Sequence, residues 1–127
     1  MHGHWYGTPR APVRRALQEG VDMMLVIDVQ GAERIRGIIA EERSKALKAA
    51  FVDVFILPPN MQELKRRLTG RGQDDKAEMN VRLKNALREM RARKRFKYLV
   101  INDKLDKAYD KLRSIVIVEH CRNLKKN

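Results

Sequence analysis

An aspartate, a glutamine and a glycine close an unbroken apolar run, Met23-Met24-Leu25-Val26-Ile27-Asp28-Val29-Gln30-Gly31. A carboxylate such as Asp28, just past an apolar run, can accept hydrogen bonds from a base or ribose, or hold a water on magnesium. It can equally leave the core and cap the helix that follows. The residues alone leave both readings open. Near the start, Trp5 and Tyr6 beside Gly7 offer a platform for a base or a hydroxyl for a phosphate, and equally the ordinary packing of a loop. His2 and His4 form a pair without a third ligand, which is a weak metal signal. Arg82, Lys84, Arg88 and Arg91 recur along one stretch, and Arg93-Lys94-Arg95-Phe96-Lys97 extends the charge. Such a run suits phosphates, and from charge alone it equally suits plain solvation.

Positioning those groups falls to alternating elements. Pro9 and Pro12 lead into a helical pattern through Val13, Ala16 and Leu17, and Gly20 is a good stop. The run ending at Asp28 reads as a strand buried on both faces, and open α/β sheets bind ligands beyond such carboxyl ends. Ala32, Ile35, Ile38, Ile39, Ala46, Leu47 and Ala50 outline a helical face interrupted by Glu41-Glu42-Arg43-Ser44, so one long helix or two shorter ones follow. A second strand is expected over 52–57, closed by Pro58-Pro59, and Asn60 with Glu63 is a capping-box variant opening the next helix. A polar link over 69–75 separates it from a helix carrying Met79, Leu83, Ala86, Leu87 and Met90. Tyr98-Leu99-Val100-Ile101 reads as a third strand ending on Asn102-Asp103. The last helix runs through Leu105, Ala108, Leu112 and Ile115, although 115–118 alone would suit a strand. Strands joined by helical crossovers run parallel, so the pattern predicts one α/β domain over 1–127 with a parallel sheet of about three strands and helices in layers on it.

Composition narrows the classes. At 127 residues with 43% hydrophobic and 35% charged side chains, the chain is globular rather than disordered. Lys and Arg number 28 against 16 acidic residues, a net charge of +12 that favours polyanions, whether nucleic acid or small phosphorylated ligands. The single Cys121 excludes an internal disulfide. No apolar run approaches the roughly 20 residues of a membrane span. The expectation is a cytoplasmic protein without a membrane partner.

Several landmarks together resemble guanylate kinase, in family order. They are His2-Gly3-His4-Trp5-Tyr6-Gly7-Thr8, Ile27-Asp28-Val29-Gln30-Gly31-Ala32, Phe55-Ile56-Leu57-Pro58-Pro59, Arg66-Arg67-Leu68-Thr69-Gly70-Arg71-Gly72, Arg82-Leu83 and Val100-Ile101-Asn102-Asp103 with Leu105-Asp106-Lys107-Ala108. The resemblance implies part of a P-loop nucleoside-monophosphate-kinase fold and a reaction moving the γ-phosphoryl of ATP to GMP with Mg2+. It implies that Tyr6 and Thr8 bind the GMP phosphate, Asp28 faces the guanine nucleotide, Arg71 and Arg82 close over the phosphates, and Asn102 lies near the adenine of ATP. Phosphoryl transfer depends on positioning and charge stabilisation, for which the planar arginine fork is suited.

The departures are equally specific. The phosphate-cradling pattern G-x-x-x-x-G-K-[ST] occurs nowhere in these residues. Val26 stands where the family has an acid, Lys104 replaces an aspartate, and the 91–97 stretch is basic where the family is tyrosine- and acid-rich. The matching segments are those of the latter part of the family domain, so the expectation is a domain truncated on its N-terminal side and inactive alone. In the family sheet an absent first strand would lie between the strands matching 23–29 and 52–57. Its loss predicts bare edges, and with them self-association or a partner chain that completes the sheet. A non-catalytic nucleotide- or protein-binding module is the alternative function. A basic nucleic-acid binder using 84–97, with Phe96 and Tyr98 for stacking, is the third.

Overall fold

The computed structural model describes residues 10–69 and 76–122. They belong to two compact units, Met1–Val52 and Asp53–Asn127.

In the first unit, helix α1 (Arg10–Glu19) carries Pro12 in its opening turn, where a missing N–H costs nothing. It ends as its sequence predicts. Gly20 takes a positive φ of 69°, Val21 N–H reaches the Ala16 carbonyl at 2.9 Å and Gly20 N–H the Leu17 carbonyl at 3.3 Å. This paired closure satisfies two end carbonyls and needs the left-handed backbone that glycine supplies. Helices α2 (Val29–Ala40) and α3 (Lys45–Ala50) resolve the one-or-two question in favour of two. Ser44 separates them because its Oγ accepts Leu47 N–H at 3.1 Å and so starts a new helix. Arg14 Nη2 lies 3.3 Å from both carboxylate oxygens of Glu42.

The expected strand over 23–29 is not formed. Residues 21–28 carry no regular structure, and Val29 and Gln30 already belong to α2. Nor is the run buried, for Val26 is 89% exposed and Met23, Met24, Leu25 and Ile27 are exposed with it. The physical reason lies in the backbone. A strand exists only when a neighbouring chain takes its N–H and C=O groups, and no described residue does so for Met23–Ile27. Ala32 is the one buried apolar side chain among this unit's described residues.

In the second unit, β1 (Val54–Leu57) and β2 (Tyr98–Ile101) pair in parallel, with Val54 opposite Tyr98 and Leu57 opposite Ile101. The α/β class and the parallel pairing hold, while the sheet has two strands among the described residues rather than three. The crossover consists of α4 (Met61–Thr69), α5 (Lys76–Arg91) and a 3-10 turn over Ala92–Arg95. Helix α6 (Leu105–His120) follows β2 and packs on it, so 115–118 is helix and not strand. Asn60 Oδ1 accepts Glu63 N–H at 2.8 Å, half of the expected capping box. The other half is missing because Glu63 turns its carboxylate to Arg66 and Arg67.

Paired residues of parallel strands share a face, and each face of this sheet is covered over one strand only. Val100 is 2% exposed while its partner Ile56 is 55% exposed; Phe55 is 8% exposed while its partner Leu99 is 50% exposed. Phe55 is covered in part by Phe96, whose ring meets it edge to face at 5.1 Å. Parallel sheets are normally buried on both sides. Here Ala92, Val100, Ala108 and Phe55 are the buried residues of the unit's described part, a thin core for its size.

Candidate functional site

Asp28 does what one of its two sequence readings required. Its Oδ1 accepts Gly31 N–H at 2.8 Å, and its extended backbone, φ −82° and ψ 175°, makes it the N-cap of α2. The carboxylate also sits at the positive end of the helix dipole, which adds to the cap. Gly31 suits this tight closure, since a Cβ there would come within 3.2 Å of Asp28 Oδ1.

Asn102 leaves the carboxyl end of β2, the place where open parallel sheets receive ligands. Its N–H donates to the Leu57 carbonyl at 2.7 Å, which ties the ends of both strands together. Its own carbonyl accepts Arg67 Nη2 at 2.9 Å. Arg67 in turn holds Glu63, Nε to Oε1 at 3.0 Å, and Arg66 Nε binds the other Glu63 oxygen at 2.9 Å. The hydrogen bond from Arg66 leads the causes that bring Glu63 down to about 2 against opposing desolvation, and Arg67 adds to it. The same pairing raises Arg66. Sequence reasoning quoted Arg66 and Arg67 within a motif but assigned them no role. The i, i+3 and i, i+4 spacing from Glu63 was the available signal.

Arg82 lies on the exposed side of α5, where a shallow hollow is lined by Ala77, Glu78, Val81 and Arg82. The hydrogen bonds of Asn102 run to Leu57 and Arg67. Tyr6, Thr8 and Arg71, with His2 and His4, lie outside the described residues. Asp28 belongs to the first unit, and Arg82 and Asn102 to the second.

A second charged centre was invisible to the sequence reading. Glu119 on α6 accepts hydrogen bonds from the Tyr98 hydroxyl and from Arg122 at 2.7 Å, and pairs with Lys97 Nζ at 3.0 Å. The Lys97 N–H meanwhile donates to Asp53 Oδ1 at 2.8 Å, and Tyr98 N–H to the Asp53 carbonyl at 3.3 Å, which sets the start of the strand pairing. Desolvation is the largest single influence on Glu119 and raises it. Tyr98, Arg122 and Lys97 together outweigh that and hold it at about 2, down from 4.5. Tyr98 is raised from its ordinary value by the same hydrogen bond. A carboxyl lowered on folding adds stability that is complete above its unfolded value and is lost as pH falls through its folded one. Acid unfolding of the second unit is therefore expected to develop between about pH 4.5 and 2. Glu119→Gln should flatten that acid limb while lowering stability at neutral pH, read by far-UV circular dichroism along a pH titration. An unchanged acid limb in Glu119→Gln would contradict the assignment.

Among the described residues no three of His, Cys, Asp and Glu gather into one cluster that could hold a metal ion through protein ligands alone. The phosphate-cradling pattern G-x-x-x-x-G-K-[ST] is not among these residues. No helix of the described chain is long and apolar enough to cross a membrane.

The guanylate kinase family profile matches residues 1–119 and so runs through both units. Among curated relatives, a guanylate kinase of Mesorhizobium japonicum is 41% identical over 122 residues, covering 96% of this chain and 52% of the relative. One of Chelativorans sp. is 43% identical over 123 residues, covering 97% of this chain and 53% of the relative. One of Caldanaerobacter subterraneus is 39% identical over 122 residues, covering 96% and 55%. The chain spans about half the length of the curated relatives it matches.

Proposed function

The chain belongs to the guanylate kinase family, and we propose that these 127 residues supply its acceptor and arginine side, binding GMP without phosphorylating it unaided. The observation that carries this reading is the family match over nearly the whole chain in the absence of any phosphate-loop segment. In this reading Tyr6 and Thr8 hold the GMP phosphate and Asp28 accepts from the guanine nucleotide. Arg71 and Arg82 neutralise phosphate charge, and Asn102 borders the adenine of ATP. Arginine suits that task because its fork pairs with two phosphate oxygens at once. The family reaction, transfer from ATP to GMP with Mg2+, then needs a phosphate loop provided from outside these residues. The exposed run over 23–27 is the surface that a completing strand, from a partner chain or another copy, would cover. No step through ATP or Mg2+ is assigned to these residues, because the phosphate-cradling pattern is not among them.

Isothermal calorimetry tests the binding half of this reading. GMP is expected to bind the chain, and ATP to bind far more weakly. The informative variant is Asp28→Asn. Asparagine caps a helix about as well as aspartate, so the fold is kept while the charge that faces guanine is lost. Affinity for GMP is expected to drop on the order of 10-fold, the scale of one hydrogen bond to a charged group. Equal affinity in Asp28→Asn and parent would reduce Asp28 to a cap, and no GMP binding at all would sink the reading.

A further inference from the structure

We propose that helix α5 carries a phosphate-backbone site for double-stranded DNA, built from Lys84, Arg88 and Arg91. The spacing i, i+4, i+7 places these three cations in one line along the helix, and all three are exposed. None has an acidic partner among the described residues, unlike Arg66, Arg67, Lys97 and Arg122, whose carboxylates are accounted for. The acidic residues of the same helix, Glu78 and Glu89, fall on the side of Arg82, away from the line. The helix thus sorts its charge, with mixed signs on one side and cations alone on another. Like charges one turn apart repel each other, and a polyanion turns that repulsion into attraction.

The geometry favours a duplex. Seven residues of helix rise about 10 Å, long enough for the line of cations to reach neighbouring phosphates of one DNA strand. Lys94, exposed in the 3-10 turn and also without an acidic partner among the described residues, prolongs the line. A single strand would instead call for aromatic platforms beside the cations. The two aromatic side chains next to the run are already engaged. Phe96 packs edge to face on Phe55, and the Tyr98 hydroxyl is bound to Glu119 with Lys97 over its ring at 5.6 Å. With no base to stack and no groove-reading side chain required, binding should ignore sequence and follow salt. The line is separate from Arg82, which the proposed nucleotide chemistry uses.

The test is fluorescence anisotropy of a labelled short DNA duplex across a salt series. The triple variant Lys84→Gln, Arg88→Gln, Arg91→Gln is compared with a charge-matched control, Lys45→Gln, Lys48→Gln, Arg113→Gln. The line variant is expected to lose affinity on the order of 10- to 100-fold near physiological salt, with a salt slope shallower by about 2.7, while the control loses far less. On the parent chain, duplex should shield Lys84 from amine acetylation and leave Lys45 reactive, a readout that does not depend on any variant folding. Equal losses in both triples would overturn the proposal, because net charge alone would then explain the binding. So would a single strand, or a vesicle of anionic phospholipid, binding as tightly as the duplex, or Lys84 remaining as reactive as Lys45.

Discussion

GMP-dependent ADP release by the chain alone is expected to be indistinguishable from the rate without GMP. Catalysis of phosphoryl transfer comes from positioned donors around the moving charge rather than from covalent chemistry. Removing a single such donor typically costs on the order of 100- to 1000-fold in rate. A phosphate loop supplies several backbone amides and a lysine at once, so its absence should cost roughly 10⁴-fold or more. Adding a separately expressed N-terminal portion of a relative, carrying the loop and its strand, is expected to restore GMP-dependent turnover. The strand would also give the 23–27 run the hydrogen-bonding neighbour that the described chain lacks. A coupled ADP-release assay on each part and on the mixture decides it. Turnover by the chain alone, well above background and dependent on GMP, would show that its phosphate contacts suffice without a loop.

Replacing Phe55 by alanine is expected to abolish the cooperative unfolding of the second unit. Phe55 is one of four buried side chains there among the described residues, and two of the others are alanines. Truncating a buried phenylalanine costs about 3–5 kcal/mol, against a total stability of roughly 5–15 kcal/mol for an ordinary domain. This core is thin, so little would remain. The edge-to-face contact with Phe96 goes as well, and with it the packing that holds the 3-10 turn near β1. The neighbouring Ile56→Ala serves as the contrast, because Ile56 is mostly exposed and its loss should shift the urea midpoint only slightly. Circular dichroism during urea titration reads both. A Phe55→Ala midpoint close to that of the parent would mean the unit is held by something other than this core.

Much of the local structure was legible because its causes are local. The Gly20 stop, the Asn60 cap and the strands 54–57 and 98–101 each follow from a residue type at a fixed offset. Asp28 shows how far that goes. Its capping role is written in the Gly31 three residues on, whereas any role toward a nucleotide depends on what lies across from it. The Glu119 centre was hidden because its partners Tyr98 and Lys97 are some twenty positions away, brought near only when α6 packs on β2. The same holds for Arg67, whose reach to the Asn102 carbonyl spans 35 positions.

The sequence by itself determined the α/β class, the excess of positive charge and the family. Periodicity, caps and motif order act over a few residues and survive whatever surrounds them. Tertiary structure alone decided the fate of Met23–Ile27. Its residues are those of a buried strand, yet they stand exposed, because apolar side chains cannot make a strand without another backbone to receive their hydrogen bonds.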